Sequence, residues 1–265
     1  ADVFIPEVLF AGFQLTFAII TVALISGAIA DRAKFSTWLV FAALWVTFVY
    51  CPLAFMVWGD GILTADGAIG SVFGAAIDFA GGTVVHINAG VAALVLALLL
   101  GKRHGFGVDP GHRPHNVPFT MLGAALLWFG WFGFNGGAAS TIEQAGLIWV
   151  NTLVAPAAGM ITWITIERLR ASRPSSIGSV SGLIAGLVAI TPACADVEPY
   201  AAILIGVAAG AGAYFAVVAK NRLRYDDALD VVAVHLVAGI IGTVLIGFFA
   251  VPSEEDRKST RLNSS

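Results

Sequence analysis

The chain has 265 residues, of which 58% are hydrophobic and 12% charged, with 14 basic side chains against 17 acidic ones. That charged share is about half the usual one, which excludes disorder and nucleic-acid binding and leaves too little charge to coat a soluble enzyme. With 30 glycines and no collagen period, the composition is that of a polytopic membrane protein with closely packed helices.

A membrane-crossing helix needs about 20 mostly apolar residues. In chain order the qualifying stretches are Val8–Ala30, Phe35–Trp58, Phe79–Gly101, Val117–Ala139, Ala145–Ile166, Ile177–Ala195, Tyr200–Ala219 and Val231–Val251. Lipid offers the backbone no hydrogen bonds, and barrel-like alternation is absent, so these spans are helices. The fold class is therefore all-α, a polytopic membrane bundle of about eight transmembrane helices.

Basic residues occupy alternate connections: Arg32 and Lys34, then Lys102, Arg103 and Arg113, then Arg168, Arg170 and Arg173, then Lys220, Arg222 and Arg224. The intervening segments carry acids instead: Asp2, Glu7, Asp60, Asp66, Glu143, Asp196 and Glu198. By the positive-inside rule residue 1 lies outside and the basic loops are cytoplasmic, as in a multi-pass protein of the cell (plasma or inner) membrane. The last basic residues, Arg257, Lys258 and Arg261, sit in a polar ending unlike the rest. Residues 1–252 are read as one transmembrane domain and 253–265 as a polar tail, non-native from about 256. The chain starts at Ala1 without a basic leader, so no signal peptide is visible.

Small residues recur at Gly178, Gly182 and Gly186 of the sixth span and at Gly206 and Gly210 of the seventh, a spacing that lets helices approach closely. Cys51 and Cys194 are expected to be inert thiols; a disulfide is possible and nothing requires it. No metal cluster and no cofactor motif is present. The outer segment Gly59–Asp78 lies against the membrane or dips into it.

Ionisable groups inside spans are costly and usually functional. His104, His112 and His115 belong to a basic loop and are read as solvated. His86 and His235 lie within apolar helices, in matching contexts: Val85-His86-Ile87-Asn88-Ala89-Gly90 and Val234-His235-Leu236-Val237-Ala238-Gly239. Their spans run in opposite directions, which is the mark of an inverted repeat. Counting residues allows the two imidazoles to meet at the midplane. Each is preceded by a carboxylate, Asp78 and Asp230; a backbone-bracing role is favoured for Asp78, beside Gly81 and Gly82, and a capping role is open for Asp230. Aromatics form a second constellation. Phe10, Phe13 and Phe17 share a face of the first span beside Gln14, Trp58 ends the second, and Trp128-Phe129-Gly130-Trp131-Phe132-Gly133-Phe134-Asn135 fills the fourth. Lipid-facing and belt roles compete here with a cation–π site.

These residues resemble the ammonium transporter (Amt/Mep/Rh) family, on its bacterial Amt side. The resemblance rests on Gly12-Phe13-Gln14, Met56-Val57-Trp58-Gly59, Asp78-Phe79-Ala80-Gly81-Gly82-Thr83-Val84-Val85-His86-Ile87-Asn88, Gly101-Lys102-Arg103, Pro114-His115-Asn116, Gly130-Trp131-Phe132-Gly133-Phe134-Asn135, Thr191-Pro192-Ala193-Cys194 and Asp230-Val231-Val232-Ala233-Val234-His235. It covers almost the whole chain. It implies an inverted-repeat fold with eleven helices in the complete pattern, so this chain would lack the first two spans and the last, and a homotrimer with one pore per protomer. Phe13, Phe17 and Trp58 would form the outer recruitment site, Phe17 and Phe134 the gate, and His86 and His235 the pore pair. Asp78, Trp131, Asn135 and Thr191 would support the site. Ammonium or ammonia, with methylammonium as analogue, would be the substrate, membrane lipid the surroundings, and a cytoplasmic PII-type protein the regulator. One departure is Ala138, where family members often place a serine hydroxyl.

The expected activity is transport, not catalysis. Ammonium is drawn to the aromatic cage, loses its proton because a bare cation cannot enter an apolar pore, and crosses as ammonia along the histidines. Two other readings remain open: an ammonium sensor on the same scaffold, and a membrane electron-transfer protein with His86 and His235 as axial haem ligands.

Overall fold

The computed structural model describes residues 5–107, 114–171 and 173–251. Asp2, His112, Arg113, Arg257, Lys258, Arg261 and the polar tail lie outside the described residues. The described residues form helices joined by turns and loops, without a strand.

The helices are α1 (Glu7–Ser26), α2 (Phe35–Trp58), α3 (Gly82–Leu100), α4 (Val117–Gly136), α5 (Ile142–Ala171), α6 (Ser176–Ile190), α7 (Pro199–Leu223) and α8 (Val232–Phe249), with one extra helical turn at Gly70–Phe73. Local signals explain several starts. Asn116 accepts the Phe119 N–H at 3.0 Å and Ser175 accepts the Gly178 N–H at 2.9 Å, each satisfying a donor that a helix N-terminus leaves open. Pro118 and Pro199 sit in first turns, where a missing N–H costs nothing.

Seven of these helices are long and apolar enough to cross a bilayer. The sixth expected span, Ile177–Ala195, is corrected by the structure: α6 has 15 residues and covers about 22 Å, short of the roughly 30 Å hydrocarbon core. Pro192 brings no N–H to continue it. Thr191–Asp196 instead forms turns with internal hydrogen bonds, such as Asp196 N–H to Ala193 O at 3.0 Å. Non-helical backbone at this depth is tolerable because the protein encloses it.

α5 packs against both α6 and α7 more extensively than any other pair of helices packs. The expected glycines line that seam. Gly206 and Gly186 approach the Ala155 backbone, Gly210 and Gly182 approach Gly159, and Gly178 abuts Trp163 and Glu167. A side chain at Gly206 would run into the Ala155 carbonyl. Large apolar side chains such as Val8, Phe35, Phe129, Phe248 and Leu169 face outward, as a lipid-facing surface requires. The chain is a multi-pass membrane protein. Cys51 is exposed, Cys194 is buried, and both are free thiols.

The ends of three helices on the side of the basic connections are strapped together. Arg103 donates from Nε and Nη to both Asp226 oxygens at 2.8–3.1 Å, and its backbone N–H adds a bond at 2.7 Å. Arg32, after α1, donates to the carbonyls of Ala28, Gly101 and Asp226. Leu229 N–H reaches Gly27 O at 3.0 Å. Two of the residues read as loop charges, Arg32 and Arg103, are therefore half-buried partners of the buried Asp226. Burial opposes ionisation of Asp226, but the Arg103 bonds and the charges of Arg103 and Arg32 outweigh it and hold the carboxyl below its usual range.

Candidate functional site

Both intramembrane histidines sit in a wide π-helical turn that opens their span: Gly82–Ile87 in α3 and Val232–Val237 in α8. Such turns interrupt the ordinary ladder and occur often at functional positions. They bring the rings together. His86 Nδ1 and His235 Nδ1 are 3.2 Å apart, with ring centroids at 5.3 Å and planes 23° apart. A bond between two Nδ1 atoms needs one donor and one acceptor, so the rings hold complementary tautomers. His86 is wholly buried and its Nε2 has no protein partner.

From the side of the acidic connections a file of rings leads to this pair. Phe13 and Phe17, one turn apart on α1, meet edge to face at 5.0 Å. Phe17 also meets Trp58 at 5.6 Å and Phe134 at 4.6 Å. Phe134 continues the file to His86 at 6.0 Å. Phe10 is exposed and takes no part in the file. His104 and His115 are exposed, as a solvated loop predicts.

The supporting residues separate into two groups. Trp58 Nε1 donates to the Asp78 carbonyl at 2.7 Å. The Asp78 carboxylate accepts the N–H groups of Gly81, Gly82, Thr83 and Val84. Gly81 makes this loop possible by taking a left-handed conformation with φ 107°. Trp131 lies almost parallel to His86, with centroids at 5.4 Å and planes 17° apart, and donates to Thr191 Oγ1 at 2.9 Å. Thr191 in turn donates to Leu187 O at 2.8 Å, while its own carbonyl accepts the Ala80 N–H at 3.3 Å. Asn135 binds Thr152 Oγ1 at 3.0 Å, so it ties α4 to α5 and does not touch the histidines.

The carboxylate pairing inferred from sequence needs correction. The counterpart of Asp78 is Asp227, not Asp230: each stands eight residues before its histidine. Asp227 Oδ2 accepts the Val232 N–H at 2.7 Å, as Asp78 Oδ2 accepts Thr83 at 2.9 Å. Asp230 matches Gly81, with φ 59°, and forms an ion pair with Lys220. The shared spacing of eight is the sequence signal that locates the true partner. Ala138 is exposed beyond α4, and the nearby Ser140 hydroxyl is engaged with Gln144 at 2.9 Å. Among the described residues no cluster of three His, Cys, Asp or Glu side chains could hold a metal. Two imidazoles in Nδ1-to-Nδ1 contact leave no room for a macrocycle between them, which removes the axial-haem reading.

These features define a polytopic membrane protein whose polar centre is a buried imidazole pair at the end of a largely half-buried aromatic file. The profile of the Ammonium Transporter Family matches residues 2–264. An ammonium transporter of Mycobacterium tuberculosis is 55% identical over 250 residues, 94% of this chain and 52% of the relative. One from Aquifex aeolicus is 50% identical over 255 residues, 96% of this chain and 57% of the relative. The crystal structure of Candida albicans Mep2 superposes with a TM-score of 0.84 at 39% identity, covering 93% of this chain and 54% of that one. A structure described as a sensor Amt protein gives 0.82 at 34% identity, covering 91% and 61%. The chain belongs to the ammonium transporter family, and it spans about half the length of the curated relatives it matches.

Proposed function

We propose that the chain forms the pore portion of an ammonium transporter of the cell membrane, with its acidic loops outside. The continuous ring file from Phe13 to the hydrogen-bonded His86–His235 pair carries this reading. Phe13, Phe17 and Trp58 recruit ammonium by cation–π attraction, worth about 2 kcal/mol where water is excluded. With Ala138 in place of a serine and Ser140 turned to Gln144, the ring faces supply most of that attraction. Passing two phenylalanines as a bare cation would forfeit hydration without replacement. Ammonium therefore gives up its proton to water in the vestibule, and ammonia crosses Phe17 and Phe134. The imidazoles then offer it a donor and an acceptor in an otherwise apolar passage. Asp78 braces the vestibule by holding the loop on which Trp58 rests. Homotrimers in lipid, with a PII-type regulator on the cytoplasmic face, are the proposed assembly.

A second reading, ammonium sensing, draws on the likeness to the sensor Amt protein. Uptake of labelled methylammonium into vesicles carrying the chain separates the two. Accumulation above that of protein-free vesicles is the expected result. Saturable binding without accumulation would assign the chain to sensing.

A further inference from the structure

The two repeat-related carboxylates differ in a way their shared position does not explain. Both oxygens of Asp78 are filled by backbone N–H groups, so a proton there would have to displace one. Asp227 is as deeply buried, yet its Oδ1 has no hydrogen-bond partner. An orphan carboxylate oxygen in the protein interior is costly unless it carries a proton or meets a donor.

The cations nearby are committed elsewhere. Arg103 and Arg32 bind Asp226, and Lys220 pairs with Asp230 while donating to the Asp227 carbonyl at 2.9 Å. Arg32 Nε is itself buried without a partner. The titratable and charged groups around Asp227 are thus Tyr225, Asp226 and Asp230 on its own segment, Lys220 from α7, Arg32 beyond α1, Arg103 beyond α3 and His235 in α8.

We propose that Asp227 is the proton-exchange group of the inner mouth, holding a proton on Oδ1 and passing it to ammonia that arrives from the histidine pair. This rests on the transport reading above. In the step the Oδ1–H bond breaks and a new N–H bond forms. Ammonium leaves for the inner solution, and the carboxylate takes a proton back from water there, so atoms and charge balance. The placement suits proton delivery, because Oδ2 is anchored on the first residue of the π-helical turn that carries His235, which leaves Oδ1 as the free end. Burial, above all, pushes the Asp227 carboxyl up to about 6; the Val232 N–H, Lys220 and the Val231 N–H oppose this and Asp230 reinforces it. An acid of that strength readily protonates ammonia, which is the stronger base.

The test uses Asp227→Asn, whose amide oxygen can still accept the Val232 N–H but which has no acid proton. In lipid vesicles, infrared difference spectra of the unaltered chain should show the C=O band of a buried protonated carboxyl that fades as pH rises through about 6. The band should vanish in Asp227→Asn, persist in Asp226→Asn, and move without vanishing in Asp227→Glu, which also serves if the asparagine variant fails to fold. Methylammonium uptake should fall as internal pH rises through that range. In Asp227→Asn it should drop at least about tenfold and lose that dependence. A band that survives in Asp227→Asn, no band at all, or an unchanged pH profile overturns the proposal. Absence of uptake by the unaltered chain overturns the transport reading and proton delivery with it, and the band then reports only where the proton sits.

Discussion

Replacing His86 and His235 together with leucine abolishes methylammonium uptake or strips its selectivity over potassium. The two imidazoles are buried side chains that can offer hydrogen bonds beyond the phenylalanine pair. Without them, ammonia must shed its hydration and gain nothing. Burying an unpaired polar group costs roughly 2–7 kcal/mol, and each 1.4 kcal/mol is about a factor of ten. Even the low end slows passage more than tenfold, unless water floods the widened channel, in which case discrimination is lost. Single replacements act differently, since each leaves the other Nδ1 without its partner in a dry site. Labelled methylammonium uptake with and without competing potassium separates these outcomes. Unchanged rate and unchanged selectivity in the double variant would remove the pair from the mechanism.

The second large effect is on folding. Asp78→Ala leaves the N–H groups of Gly81, Gly82, Thr83 and Val84 without their shared acceptor. An unsatisfied buried donor costs about 1–3 kcal/mol, so two of them already consume much of a typical stability of about 5–15 kcal/mol. The loop also seats Trp58 and leads into the turn that carries His86. The expected result is little folded protein, or a melting temperature in detergent lowered by ten degrees or more on the size scaling of about 2–4 °C per kcal/mol. Asp78→Asn, which keeps one acceptor oxygen, should fall in between. A melting temperature within a degree or two of the unaltered chain for Asp78→Ala would show that solvent takes over the four donors.

The membrane class and most of the spans are legible in the sequence because lipid acts on composition over long windows. So is the meeting of His86 and His235, since matching contexts on opposed spans leave few other arrangements. α6 reads as a full span because hydropathy does not register that Pro192 stops a helix while buried turns fill the remaining depth. The π-helical turns have no hydropathy signature, as an inserted residue shifts hydrogen bonds and leaves composition unchanged. Asp227 is easily passed over because Asp230 is the same residue type and nearer to His235; the spacing of eight residues points to it, and the left-handed backbone at Gly81 and Asp230 fixes the register. Arg32 and Arg103 resemble loop charges, since their burial depends on Asp226 from the other half of the chain. Asn135 shares a motif with Phe134, yet its amide faces α5.

On the proposed route substrate enters along the ring file, and thiol block at its outer end probes that path. Phe13→Cys is placed in a chain whose exposed Cys51 is replaced by alanine, and a charged thiol reagent is added from outside. Modification at position 13, followed by mass spectrometry, should extinguish methylammonium uptake in proportion to the fraction labelled. Complete labelling with uptake unchanged would place the path elsewhere.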